Sequence, residues 1–163
     1  MSESIRLIYQ QKDVDVDPSN HSDVTAYISN VILPDTLRNC GMSESTTPLT
    51  GNSSKSVDIT YATFSKNSNI KQSVDSLVKK AGMNNDIVVV SYGMHIQKTL
   101  SIIEIFKSTD AGKKLHQFNR LDSFVEVKPG RNELLDQKVN IPILIIAFTI
   151  EDVKNLSGFT KQS

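Results

Sequence analysis

The sequence predicts an α/β domain of order β-α-β-α-β-β, with a four-stranded mixed sheet carrying two helices on one face. Three observations predict it. Two apolar, strand-like runs each stop at a polar turn and feed a helix-patterned segment: 57–64 leads through Ser65-Lys66-Asn67, and Ile87–Ser91 leads through Tyr92-Gly93-Met94-His95. Beyond Leu115 the helical period is lost and residues 115–127 read as a strand. The most apolar run, Ile141–Ile150, comes last, with Pro142 confined to its start, where a missing N–H is tolerated.

The elements follow in order. Residues 1–20 form a polar N-terminal segment of variable character, with room for a short strand near Ile5–Tyr9. Residues 21–38 read as an N-terminal helix: Ser22 can cap it, Val24, Ile28, Val31 and Ile32 recur at helical spacing, and Pro34 kinks or ends it. Residues 39–56, rich in Ser, Thr, Gly and Asn, read as a flexible linker. The main domain spans 57–163 and ends in a tail. Its first strand alternates Val57, Ile59, Tyr61 and Thr63 with Asp58, Thr60 and Ala62. Ile70, Val74, Leu77, Val78 and Ala81 then form a stripe of period 3.6 that Gly82 closes. The run Ile87–Ser91, apolar without alternation, is expected at the centre of a sheet. Ile96, Leu100, Ile103 and Phe106 mark the second helix, Lys113-Lys114 fall in a short loop, and Pro129-Gly130-Arg131 make a turn. Strand residues Ile143–Phe148, with Leu100 and Ile103, offer more apolar surface than two short helices can cover, so the chain is not expected to be a stable monomer.

Composition narrows the function. No apolar run approaches the roughly 18 residues of a membrane span, and the first residues lack the basic, then apolar, pattern of a secretory signal, so no membrane partner is expected. A single cysteine, Cys40, excludes an internal disulfide framework and fits a reducing compartment. Net charge is zero, yet its distribution is uneven: Lys55–Arg131 holds 12 basic and 7 acidic residues, leaving 6 and 11 for the flanks. A basic middle between acidic ends reads as a partner surface or as a segregated, solvated surface.

Catalytic and metal chemistry find no support. Asp13, Asp15 and Asp17 resemble the start of a calcium loop, but Pro18 stands where the sharp-turn glycine belongs and Val24 where the bidentate glutamate belongs. His21, His95 and His116 are scattered, Cys40 has no activating neighbour, and Glu104 is a lone helix carboxylate. The phosphate-loop, dinucleotide and nucleophile-elbow signatures are all missing. No cofactor is expected. What remains is the pair of basic strand-to-helix turns. Lys66 and Lys71 sit at the start of the first helix, where a cation opposes the helix dipole unless an anion arrives between them. Gly93 lets another backbone approach, with His95 and Lys98 close behind it. Arg131 can reach the same ligand from its turn, and Tyr92 is either core or a stacking platform. Three functions fit: RNA binding, an enzyme acting on a phosphorylated small molecule at the two turns, or a protein-interaction module working through the acidic N-terminal segment.

Ser65-Lys66-Asn67, Asn69-Ile70-Lys71, Ser91-Tyr92-Gly93, His95-Ile96-Gln97-Lys98, Leu100-Ser101-Ile102, Glu104-Ile105-Phe106-Lys107, Gly130-Arg131-Asn132-Glu133-Leu134, Pro142-Ile143-Leu144 and Phe159-Thr160-Lys161-Gln162 recur together in one order. In these blocks the chain, from about His21 onward, resembles the Pop-six family of budding yeasts, Alba-like subunits of nuclear ribonuclease P and ribonuclease MRP. The resemblance implies an Alba-like fold and a heterodimer with a second Alba-like subunit of the Pop-seven type. It also implies binding to the P3 element of the ribonuclease P and MRP RNAs, alongside the other proteins of these particles, and in some yeasts to a similar element of telomerase RNA. It places the protein in the nucleus and nucleolus, in processing of tRNA 5′ leaders and rRNA precursors. The chemistry there belongs to the RNA, so the chain would be a non-catalytic accessory subunit. The family's RNA-contacting turns fall on Lys66 and on Gly93–Lys98. With the cationic residues read above, the expected RNA-binding set is Lys66, Lys71, Gly93, His95, Lys98 and Arg131.

Overall fold

Ile87 to Val90 lie at the centre of the molecule, each no more than 1% exposed, because consecutive apolar residues belong where both faces of a sheet are covered. The computed structural model describes residues 5–18, 20–34, 59–83, 85–150 and 159–162. The expected linker, 39–56, and the last residues of the expected 21–38 helix lie outside that set. The chain opens with β1 (Arg6–Tyr9), β2 (Lys12–Val14) and α1 (His21–Tyr27), which runs on into a π turn at Ile28–Ile32. Then come β3 (Ile59–Thr63), α2 (Ile70–Ala81), β4 (Asp86–Tyr92), a 3₁₀ turn (Gly93–His95) and α3 (Ile96–Ser108). A short α4 (Asp110–Lys113), two long strands β5 (His116–Lys128) and β6 (Gln137–Thr149), and β7 (Thr160–Gln162) complete the order.

The expected four strands are present, but among the described residues the sheet holds seven, in the order β2-β1-β5-β6-β4-β3 with β7 beside β5. Only β3 and β4 run parallel; every other pair is antiparallel. Of the additional strands, β1 falls where the sequence leaves room for a short strand near Ile5–Tyr9, while β2 and β7 are three residues long, too short for alternation to register in sequence. β1 and β7 find a place because β5 is 13 residues long and β6 occupies only one of its edges, and β2 pairs with β1. An open edge needs covering. Arg6–Ile8 pair with Val125–Val127 on one half of it, and Thr160–Gln162 pair with Gln117–Asn119 on the other. The Tyr9 hydroxyl donates to Asp122, and the Tyr9 ring meets Phe124 edge-on at 5.8 Å, fastening β1 to the long strand. Burial and the Asp122 carboxylate push the Tyr9 phenol well above its ordinary value.

The two expected helices, α2 and α3, pack on one face over Ile87, Val89, Ile146 and Phe148. The N-terminal helix lies on the opposite face, over Val88, Val90, Phe118 and Phe124, so the molecule has three layers. Val24, Ile28, Ile32 and Leu33 bury almost completely there, at roughly 1.5–3 kcal/mol each, which anchors α1 firmly. The N-cap is Asn20, not Ser22: its Oδ1 accepts from the N–H groups of Ser22 and Asp23. The widening to a π turn precedes Pro34, whose ring crowds the carbonyl four residues back; Leu33 N–H bonds instead to Ile28 O, five back.

Two further expectations are corrected. Lys113 ends the short helix α4 rather than lying in a loop, because Thr109 caps a fresh helical turn by accepting from Gly112 N–H. The run Ile143–Phe148 and Ile103 are no source of exposed apolar surface; all are buried inside this chain by the three-layer packing. Apolar side chains are nevertheless left outside elsewhere, among them Leu100 and Ile105 on α3, each 45% exposed, Leu121 on β5, 73% exposed, and Leu134 in the β5–β6 turn, 93% exposed. Leu121 pairs with Leu144 of the helix-side core, so it shares the face that carries α2 and α3.

Candidate nucleic-acid interface

Parallel neighbours bring their carboxyl ends to the same edge, and here the register Ile59↔Asp86 to Thr63↔Val90 brings the two strand-to-helix turns side by side. The first turn, Ser65–Asn69, is built from its own side chains. Ser65 N–H donates to Ser68 Oγ, Asn67 N–H to Ser65 Oγ, and Ser68 N–H to Ser65 O. Asn69 then caps α2 by accepting from Gln72 N–H. Lys66 stands exposed in the middle of this turn, and Lys71 is the second residue of the helix.

The second turn depends on Gly93, whose φ of +55° is a left-handed conformation that side chains resist. A Cβ there would also meet Ile141 Cγ2 at 3.3 Å. Beneath it, buried Thr99 donates to Ser91 Oγ at 2.9 Å, tying the start of α3 to the end of β4. Lys98, half-buried, is the third residue of α3, and among the described residues no side chain caps that helix.

The two turns are joined directly. Lys66 N–H donates to His95 Nδ1 at 2.9 Å. An imidazole nitrogen that accepts carries no proton, so His95 is neutral, with its proton on Nε2. Burial, then nearby His21 and Lys66, pull its pKa below the ordinary 6.5. The third contributor comes from the opposite layer. The His21 ring at the start of α1 stacks on Tyr92 with centroids 5.5 Å apart and lies 4.3 Å from the His95 ring. Its Nδ1 is 3.1 Å from the Tyr92 hydroxyl, whose pKa burial raises. Between the turns and α1 opens a cleft of about 620 Å³, lined among others by Pro18, His21, Lys66, Met94, Glu126 and Ile141.

Of the expected residues, Lys66, Gly93 and His95 line this cleft, while Lys71 and Lys98 stand on the adjoining first turns of α2 and α3. His95 is only 8% exposed, so its main work is holding the turns together. Tyr92 is also 8% exposed and belongs to the core on the α1 side. Arg131 does not line this cleft: it stands in the β5–β6 turn, past the Lys128↔Gln137 pair, two pairs beyond Glu126, which does line it. Lys113 and Lys114 follow α3, whose 13 residues carry the chain about 20 Å from the turns. His21 and Glu126 carried no signal in the sequence: each reaches the cleft only through packing between layers.

A family model described as Alba matches residues 64–125, a stretch that contains both turns. The Saccharomyces cerevisiae protein named Ribonucleases P/MRP protein subunit POP6 is 34% identical over 167 residues, covering 96% of this chain and 98% of its own. Among solved structures, Alba from Thermoplasma volcanium is similar with a TM-score of 0.40 and 19% identity, over 56% of this chain and 99% of that one.

Proposed function

This chain belongs to the family of the ribonucleases P/MRP protein subunit POP6 and has an Alba fold, and we propose that it is an RNA-binding, non-catalytic subunit of nuclear ribonuclease P and ribonuclease MRP. In this reading it works in the nucleus and nucleolus, in processing of tRNA 5′ leaders and rRNA precursors. It binds the P3 element of both RNAs as one half of a heterodimer with a second Alba-like subunit of the Pop-seven type, among the other proteins of the particles. A similar element of telomerase RNA is a further target.

The observation that carries the reading is the Lys66–His95 hydrogen bond, which makes one surface of two basic turns. Lys66 projects from that surface, and Lys71 and Lys98 flank it at the positive ends of α2 and α3. Lysines so placed hold phosphate oxygens and set the register of an RNA without reading its sequence. The partner subunit covers Leu100, Ile105 and Leu121, three exposed apolar side chains of α3 and of the helix-bearing sheet face. The test is to purify the chain with its partner and titrate a P3-type RNA at two salt concentrations. Affinity that falls steeply with salt supports the reading; affinity indifferent to salt, or no binding, removes it.

A further inference from the structure

The cleft beside the two turns is too mixed in charge and too apolar for a phosphate alone. Its lining holds a cation, Lys66, and an anion, Glu126. Lys128 Nζ lies 3.8 Å from Glu126 Oε1, while the Glu126 side chain keeps 19% of its surface open. The cleft is also lined by His21, whose ring contacts both Tyr92 and His95, and by Met94, 68% exposed. An anion entering this space would gain from Lys66 and lose to Glu126. A nucleotide would satisfy every part: a flat ring for the imidazole and thioether, N–H donors for the carboxylate, and a phosphate for the lysine. The volume of about 620 Å³ is ample for one nucleoside.

We propose that this cleft holds one unpaired, extruded base of the bound RNA, and that guanine is the base it prefers. The proposal rests on the RNA-binding reading and adds the ligand's chemistry. An ionised carboxylate only accepts hydrogen bonds. Guanine is the one standard base that sets two adjacent donors, N1–H and the 2-amino group, on its Watson–Crick edge, where a carboxylate can take both. His21 supplies stacking, the usual way in which proteins hold splayed-out RNA bases. Because α1 delivers His21 from the layer opposite α2 and α3, the base site depends on the N-terminal helix, outside the stretch 64–125 that matches the Alba family.

The experiment uses the full chain with its partner subunit and a set of synthetic RNA stems. One stem carries an internal loop of uridines with a single guanosine. Others replace that guanosine by adenosine, by inosine or by an abasic residue, and one is fully paired. The expected result is that the guanosine loop binds roughly tenfold tighter than the adenosine or abasic loop, with inosine between. His21→Ala should bring the guanosine loop down to the abasic level while leaving the fully paired stem unchanged. His21→Phe, which keeps a ring, should bind near the parent. Glu126→Gln should erase the preference for guanosine over adenosine. The RNA series needs no variant, so it stands even if His21→Ala fails to fold. Equal affinity for all loops, or guanosine preference undiminished in both His21→Ala and Glu126→Gln, overturns the base site. If all RNAs still bind with a salt-dependent affinity that Lys66→Ala weakens, the RNA-binding reading survives that failure; if no RNA binds, both fall.

Discussion

The backbone N–H of Lys66 is held 2.9 Å from His95 Nδ1, so one imidazole joins two turns that the sequence separates by 29 residues. This bond uses backbone on one side and a buried ring on the other. It therefore fixes the position of the first turn without using the Lys66 side chain, which stays free to point at a ligand.

Acid should loosen this junction. The folded-state pKa of His95 lies below the ordinary 6.5, chiefly through burial. Between those two values the unfolded chain binds a proton that the folded chain does not, so stability rises with pH across the window and is complete above about 6.5. Below it the bond to Lys66 N–H is lost, at a cost of about 1 kcal/mol. Urea unfolding at pH 7.5 and pH 5.5 checks this by comparing the parent with His95→Gln, whose amide cannot titrate. The parent should lose about 1 kcal/mol more than the variant; equal losses would count against it.

The lysines should act through phosphate. Lys66→Ala and Lys98→Ala should each weaken binding to related stem–loop RNAs by similar factors, and each should lower the slope of log affinity against log salt by about one. Lys113→Ala, beyond the far end of α3, should leave the slope unchanged. Filter binding at four salt concentrations separates the two outcomes.

Gly93 should tolerate no β-branched residue. Its φ of +55° and the 3.3 Å approach of Ile141 Cγ2 both oppose a side chain. Gly93→Val should cost about 1–3 kcal/mol of stability. It should also reduce RNA affinity under conditions where the variant is still folded, because the added side chain stands between the turn and the RNA backbone. Denaturant midpoints followed by RNA titration measure both effects.

The partner surface should respond to charge without loss of fold. Leu121→Asp and Leu100→Asp change side chains that are 73% and 45% exposed, so the chain itself should lose no more than about 0.5 kcal/mol. Assembly with the second subunit should fail, seen as separate peaks in size exclusion with light scattering. Ile103→Ala, buried to 1% exposure, should instead cost about 2–5 kcal/mol.

Much of the fold is legible because local chemistry dictates it. The alternation of Ile59–Thr63, the helical stripe through Val74 and Leu77, the unbroken run Ile87–Val90 and the glycine at 93 each carry their element in a few consecutive residues. The strand β1 fills the room the sequence leaves near Ile5–Tyr9, but β2 and β7 are not legible in this way. Three residues carry no period, and they become strands only because β1 and the open edge of β5 offer them a partner.

The candidate site divides along the same line. Lys66, Lys71 and Lys98 can be picked out by their places at helix starts, and Gly93 by its place between strand and helix. That His95 spends its Nδ1 on Lys66, that Tyr92 is packed away, and that Arg131 stands outside the cleft are decisions of the tertiary structure. So is the arrival of His21, 71 residues before Tyr92 in the chain, which stacks on it only because Val24, Ile28 and Ile32 bury against the sheet. The physical reason is range. Periodicity, capping and turn preference act over a few residues and are written in the sequence directly. Which imidazole meets which N–H depends on the register of β3 on β4 and on which face of the sheet each helix covers, and these are settled only when the layers pack.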